Sequence, residues 1–110
     1  MGYSVRVTSS VRERLKSTVN YLVEVRCDPQ YARRLLDGVE AAIDSFKSDA
    51  LFPIIDIRAS GLVGRSVYKR KVGSYKLLYV IDEQEKSIRI FSFINDRQDD
   101  RRIVSADYRN

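Results

Sequence analysis

The segment Val67–Asp82, VYKRKVGSYKLLYVID, restricts the fold more than any other stretch, because Gly73-Ser74 separates two runs that read as β-strands. A two-residue hairpin loop sets Val72 opposite Tyr75, Lys71 opposite Lys76, Arg70 opposite Leu77 and Lys69 opposite Leu78. Residues opposed across antiparallel strands project to the same face. One face then holds Tyr68, Val72, Tyr75, Leu77 and Tyr79, suited to a core, with Arg70 reaching out at the edge. The other holds Lys69, Lys71 and Lys76 within about one side-chain length of each other. Like charges directly opposite are unfavourable by roughly 0.2–1 kcal/mol, so folding alone gives no reason for Lys71 to face Lys76.

Upstream, Tyr3, Val5 and Val7 alternate with polar residues, which predicts a first strand over 3–8. Ser10-Val11-Arg12-Glu13 has capping-box spacing, and Val11, Leu15, Val19 and Leu22 continue at helical spacing to about Arg26. Asp28-Pro29 starts a second helix, whose apolar stripe is Ala32, Leu35, Leu36, Val39, Ile43 and Phe46. The short joint favours an antiparallel helical hairpin, which needs a sheet beneath it. Residues 49–66 show no clean period and read as a long ordered loop, with Phe52, Ile54, Ile55 and Ile57 tucked into the core. Strands are expected at 66–72, 75–82 and 87–94, followed by a tail that is a short helix or loose. The expected order is β-α-α-β-β-β in one domain over 1–110. The fold class is α+β, with a four-stranded antiparallel sheet, mixed at its edge, covered on one face by the helical hairpin.

Composition narrows the chemistry. The chain has 110 residues, enough for one core and too few for two. Histidine is absent and Cys27 is the only cysteine, which excludes an intrachain disulfide and argues against a zinc site or a histidine base. No cofactor, metal or small-molecule ligand is expected. No apolar run approaches the ~18 residues of a membrane span, and the N-terminus lacks a signal-peptide core, so a reducing cytoplasm is the expected setting.

The net charge of +5 is concentrated. Between Asp56 and Asp82 lie Arg58, Arg65, Lys69, Arg70, Lys71 and Lys76 with no acidic residue, leaving 14 basic against 15 acidic residues elsewhere. Three uses fit such a segment: a solvated lysine-rich face that discourages aggregation, a phosphate-binding face, or a surface for an acidic peptide.

The order of elements, the run KVGSYKLLYVID and the ending IRIFSFINDRQD resemble the RelE/ParE superfamily of bacterial toxins, over Tyr3 to about Val104. The resemblance implies a small cytoplasmic toxin of a type II toxin–antitoxin system, of the kind linked to plasmid stabilization, neutralised by a cognate antitoxin. RelE-type members cleave mRNA on the ribosome without a metal; ParE-type members bind DNA gyrase without nuclease chemistry. Carried over residue by residue, Lys69 and Lys71 match the two second-strand lysines of the RelE branch. Lys76 stands where that branch has arginine, and Arg97 matches its arginine after the last strand. One of Lys69 or Lys71 would act as base, with Lys76 and Arg97 holding the phosphate. Two features depart from this pattern. The C-terminal aromatic of the RelE branch falls near Ile103, with Tyr108 the nearest tyrosine, and Asn95-Asp96 stands where other nuclease branches place a histidine. The Asp28-Pro29 joint and the RQD ending are similar to ParE-type sequences, for which Tyr21, Tyr31, Arg33 and Arg34 would contribute to a target surface.

Overall fold

A computed structural model describes residues 2–48, 53–97 and 101–109. Strand β1 (Ser4–Val7) leads into helices α1 (Ser9–Glu24) and α2 (Pro29–Lys47). A two-residue strand β2 (Ile54–Ile55) and helix α3 (Ile57–Val63) follow. Strands β3 (Tyr68–Val72), β4 (Tyr75–Asp82) and β5 (Ser87–Asn95) form a meander, and α4 (Arg101–Arg109) closes the chain. The sheet has five strands in the order β1-β5-β4-β3-β2, with β1 parallel to β5 and the other pairs antiparallel. The β3–β4 register is the one that the two-residue loop dictates, Lys71 facing Lys76 included. Gly73 supplies the positive φ of 60° that this turn requires.

Helix α2 starts as expected: the Asp28 side chain accepts the Tyr31 N–H at 3.0 Å and Pro29 is the first helical residue. Helix α1 starts differently. Thr8, not Ser10, is its N-cap, and no side chain caps it, so the expected capping box does not form. Thr8 is buried in β-conformation because its N–H extends the β1–β5 ladder to Ile90 O at 3.1 Å, and the strand thus runs straight into the helix.

The two helices cover one face of the sheet with Val11, Leu22, Ala32, Leu35, Val39, Ala42 and Phe46, against Val72, Leu77, Tyr79, Ile88, Ile90 and Phe93. Leu36, expected in the α2 stripe, lies at its exposed margin. Tyr79 sits centrally, 4.6 Å from the Phe46 ring centroid. Arg70 leaves this face as expected: its guanidinium lies over Phe46 and donates to Ser45 Oγ at 2.8 Å.

The opposite face is not left open, which corrects the single-sided layer. Its centre is a second core of Ala59, Val67, Leu78, Val80, Phe91, Ile94 and Val104, closed over by α3 and α4. A β-bulge makes this possible. Leu78 pairs Ser92 while Tyr79 pairs Ile90, so Phe91 is an extra residue on β5. It turns Phe91 and Ile94 toward α3 and α4 while Ile88, Ile90 and Phe93 stay under α1 and α2. Helix α4 is pinned by Asp107, 3% exposed, which accepts from the Arg14 guanidinium (Nη2 to Oδ1, 3.0 Å) and from Ser92 Oγ at 2.7 Å.

The stretch read as a loop is therefore mostly structured. Asp56 accepts the Ala59 N–H at 3.0 Å and caps α3, which Gly64 ends in the left-handed conformation. Ile54, Ile55 and Ile57 are exposed, not core, because edge strand β2 pairs only with β3 and Ile57 opens α3 on its outer side. Phe52 lies outside the described residues.

Candidate nucleic-acid interface

Beyond the apolar centre of the α3–α4 face, toward the Gly73-Ser74 turn, Lys69 and Lys71 on β3 and Lys76 on β4 come together on one face. Two carboxylates from flanking segments meet them. Lys76 Nζ lies 3.0 Å from Asp56 Oδ2, with the side chains only 15% and 8% exposed. Lys71 Nζ lies 3.0 Å from Asp96 Oδ2, with 62% and 30% exposure. Lys69, half-buried, makes no ion pair with a described residue.

The five groups act as one electrostatic cluster. Burial pushes the Asp56 carboxyl up, yet the Ala59 N–H, the Lys76 hydrogen bond and the charges of Lys76 and Lys69 outweigh it and hold it below its usual 3.8. Asp96 is also held low, mainly by its hydrogen bond to Lys71, with the charges of all three lysines adding to it.

Arg97 joins the site through a local turn. The Asp96 N–H donates to Ser74 O at 2.8 Å, extending the β4–β5 pairing, and the Arg97 N–H donates to Asn95 Oδ1 at 2.9 Å. The exposed Arg97 side chain thereby borders a cleft shared with Lys71, Gly73, Ser74 and Asp96. On the helical side of the same hairpin tip a second cleft is bounded by Lys71, Gly73, Tyr31 and Arg34. There the Tyr31 hydroxyl accepts the Ser74 N–H at 3.1 Å and Arg34 lies over the Tyr31 ring at 5.9 Å.

The structure thus brings Lys69, Lys71 and Lys76 together and sets Arg97 beside Lys71. It gives Lys76 a different standing from the others, because a largely buried ion pair exchanges its partner at a cost of several kcal/mol whereas an exposed one does so for ~0–1 kcal/mol. Ile103 packs at the edge of the second core, and Tyr108 lies 4.8 Å from the Arg89 guanidinium and edge-on to Phe91. Neither stands at the lysines. Sequence reasoning missed Asp56 as a partner of Lys76; the available signal was Asp56 three residues ahead of Ala59, at the start of a short helical run.

The solved structure of the RelBE2 toxin–antitoxin complex from Mycobacterium tuberculosis is similar, with a TM-score of 0.54 and 18% identity over 86% of this chain and 99% of the matched one. The archaeal RelE–RelB complex from Pyrococcus horikoshii matches with a TM-score of 0.52 and 17% identity, over 90% of this chain and 100% of the other. The chain has a RelE-like fold. No protein-family model and no curated protein matches the sequence. Within this RelE-like frame, no described helix is long and apolar enough to cross a membrane, and no group of metal-ligating side chains occurs among the described residues.

Proposed function

We propose that this RelE-like chain is the toxin of a toxin–antitoxin module and that it cleaves mRNA on the ribosome. One observation carries the reading. Lys69 and Lys71 on β3 share one sheet face, and Arg97, from the turn after β5, borders a cleft with Lys71 at the hairpin tip. The two neighbours described above are a RelBE2 toxin–antitoxin complex and a RelE–RelB complex, which supports a cognate antitoxin as the partner here.

Cleavage by this set needs no residue type the chain lacks. The ribose 2′-hydroxyl attacks the adjacent phosphorus, its proton passing to a base; the P–O5′ bond breaks, leaving a 2′,3′-cyclic phosphate and a 5′-hydroxyl that takes up a proton. Of the three lysines, Lys69 has no carboxylate at ion-pair distance among the described residues and takes the role of base. Lys71 and Arg97 hold the non-bridging oxygens, and Lys71 supplies the leaving-group proton. The exposed Lys71–Asp96 pair exchanges Asp96 for phosphate at little cost. An acidic antitoxin segment would compete for the same cations. Lys76, tied to Asp56, shapes the field and does not touch substrate.

A second reading, inhibition of DNA gyrase by surface binding, is favoured by the fact that carboxylates already occupy two of the three lysines. The two are separated by adding the purified chain to a reconstituted translation reaction and mapping mRNA 5′ ends. Cuts within ribosome-occupied codons support the nuclease. Intact mRNA with translation unaffected refutes it and makes a supercoiling assay the next experiment.

A further inference from the structure

We propose that Arg6, Arg65 and Arg89 form a phosphate-binding pocket, separate from the lysine cluster and at the other end of the same sheet face. All three line one cleft of ≈ 330 Å³. They reach it from three elements. Arg6 on β1 and Arg89 on β5 are direct register partners in the parallel pair, so their side chains project to one face from adjacent strands. Arg65 follows the left-handed Gly64 that ends α3, and its guanidinium donates to Ile81 O at 3.2 Å.

Folding alone gives weak reasons for this gathering. Arg89 has a structural task, since it donates to Tyr108 O at 3.2 Å and stacks on the Tyr108 ring at 4.8 Å, completing the end of α4. Arg6 has none: it is exposed and makes neither a side-chain hydrogen bond nor an ion pair with a described residue, yet it stands against a like charge. The one carboxylate lining the cleft, Asp82, is turned to the β4–β5 loop, where Oδ1 accepts the N–H groups of Gln84 and Glu85 at 3.0 and 3.1 Å. No ion pair joins the three arginines to a described carboxylate. The pocket is left with an excess of two positive charges and with guanidinium donors in search of an acceptor.

The geometry favours phosphate over carboxylate. A carboxylate offers one charge on two coplanar oxygens, whereas a phosphate presents tetrahedrally arranged oxygens, with up to two charges in a monoester, which forks arriving from different directions can meet together. Forks on neighbouring strands, about 4.8 Å apart at their roots, converge on one such group. The pocket is independent of the lysine site, because the six steps from Lys76 to Asp82 along β4 span about 20 Å and α3 and α4 cover the middle. The phosphate comes either from a small monoester or from the diester backbone of a polynucleotide.

The test uses the full chain labelled with ¹⁵N, following the arginine Nε–Hε signals and the amides of Arg6, Ser87 and Arg89. Inorganic phosphate is titrated at constant ionic strength against chloride, and then a short single-stranded RNA. Saturable shifts at the three arginines are expected, weakened at least about tenfold in Arg6→Gln/Arg65→Gln; those produced by inorganic phosphate are unchanged by Arg97→Ala, a change at the far end of the sheet. If RNA produces the same shifts at lower concentration, the site takes backbone phosphate; if only inorganic phosphate does, it takes a monoester. Shifts that chloride reproduces, that do not saturate, or that persist undiminished in the double variant overturn the proposal. Arg6→Gln alone, which removes no side-chain hydrogen bond or ion pair with a described residue, must also weaken binding.

Discussion

The Asp56–Lys76 pair decides whether Lys76 belongs to the fold or to the substrate site, and Asp56→Ala measures it. The substitution removes the α3 cap, worth about 1 kcal/mol, and leaves an ammonium that is only 15% exposed without its partner, worth about 3 kcal/mol more. A loss of about 4 kcal/mol corresponds to a fall in Tm of about 20 °C at ~5 °C per kcal/mol. Asp56→Ala/Lys76→Met removes both charges and fills the space with an unbranched apolar chain of similar length, so only the cap is lost and about 1–2 kcal/mol is expected. Urea unfolding of the two variants and of Lys76→Met alone closes a double-mutant cycle. Because Lys76→Met alone also leaves a buried charge without its partner, a coupling of at least about 3 kcal/mol supports the account. Additive losses, or an Asp56→Ala variant within 1 kcal/mol of the native chain, would refute the reasoning and return Lys76 to the substrate.

Other outcomes follow from single contacts. Asp56 and Asp96 sit below their usual 3.8 in the folded chain, so their contribution is fully present above that pH and is lost as pH falls through the depressed folded values; acid unfolding should therefore begin below about pH 4, and Asp56→Asn should flatten that limb. Ala at position 38 would place its Cβ 2.6 Å from Val72 Cγ1, so Gly38→Ala should cost a net of about 1 kcal/mol despite better helix propensity, and the loss should shrink in a Val72→Ala background. Asp107→Ala leaves buried Ser92 without its acceptor and Arg14 with only the Phe93 carbonyl and should cost about 2 kcal/mol, with hydrogen exchange showing α4 amides losing protection before those of β4.

The hairpin register, the helical hairpin and the split of the β3–β4 residues into two faces were legible because each rests on local chemistry: a two-residue turn, an Asp-Pro start and period-two alternation. The second layer was not. Helix α3 is only seven residues long and its opening isoleucine faces outward, so it offers no apolar stripe to read. The β-bulge at Phe91 breaks the alternation that would have announced a second buried face. The parallel pairing of β1 with β5 joins residues more than eighty positions apart, for which no local signal exists.

The site was legible in part for the same reason. The lysines lie on two strands joined by one turn, so their common face follows from the register. Their carboxylate partners come from outside that hairpin, Asp56 through the cap of α3 and Asp96 through the turn after β5. A stretch free of acidic residues in sequence is thereby not free of them in space. Tyr31, read from sequence only as part of a helical surface, instead braces the hairpin tip through the Ser74 N–H.

The central claim is that Lys69, Lys71 and Arg97 act on RNA while Lys76 serves the fold. The most direct test compares initial rates of mRNA cleavage in the reconstituted translation reaction for Lys69→Ala, Arg97→Ala and Asp56→Ala/Lys76→Met. The account predicts losses of about 10²–10⁴-fold for the first two and a rate within a few-fold of the native chain for the third. Cleavage by the native chain that persists undiminished in Lys69→Ala and Arg97→Ala, or that vanishes in a folded Asp56→Ala/Lys76→Met variant, would contradict it.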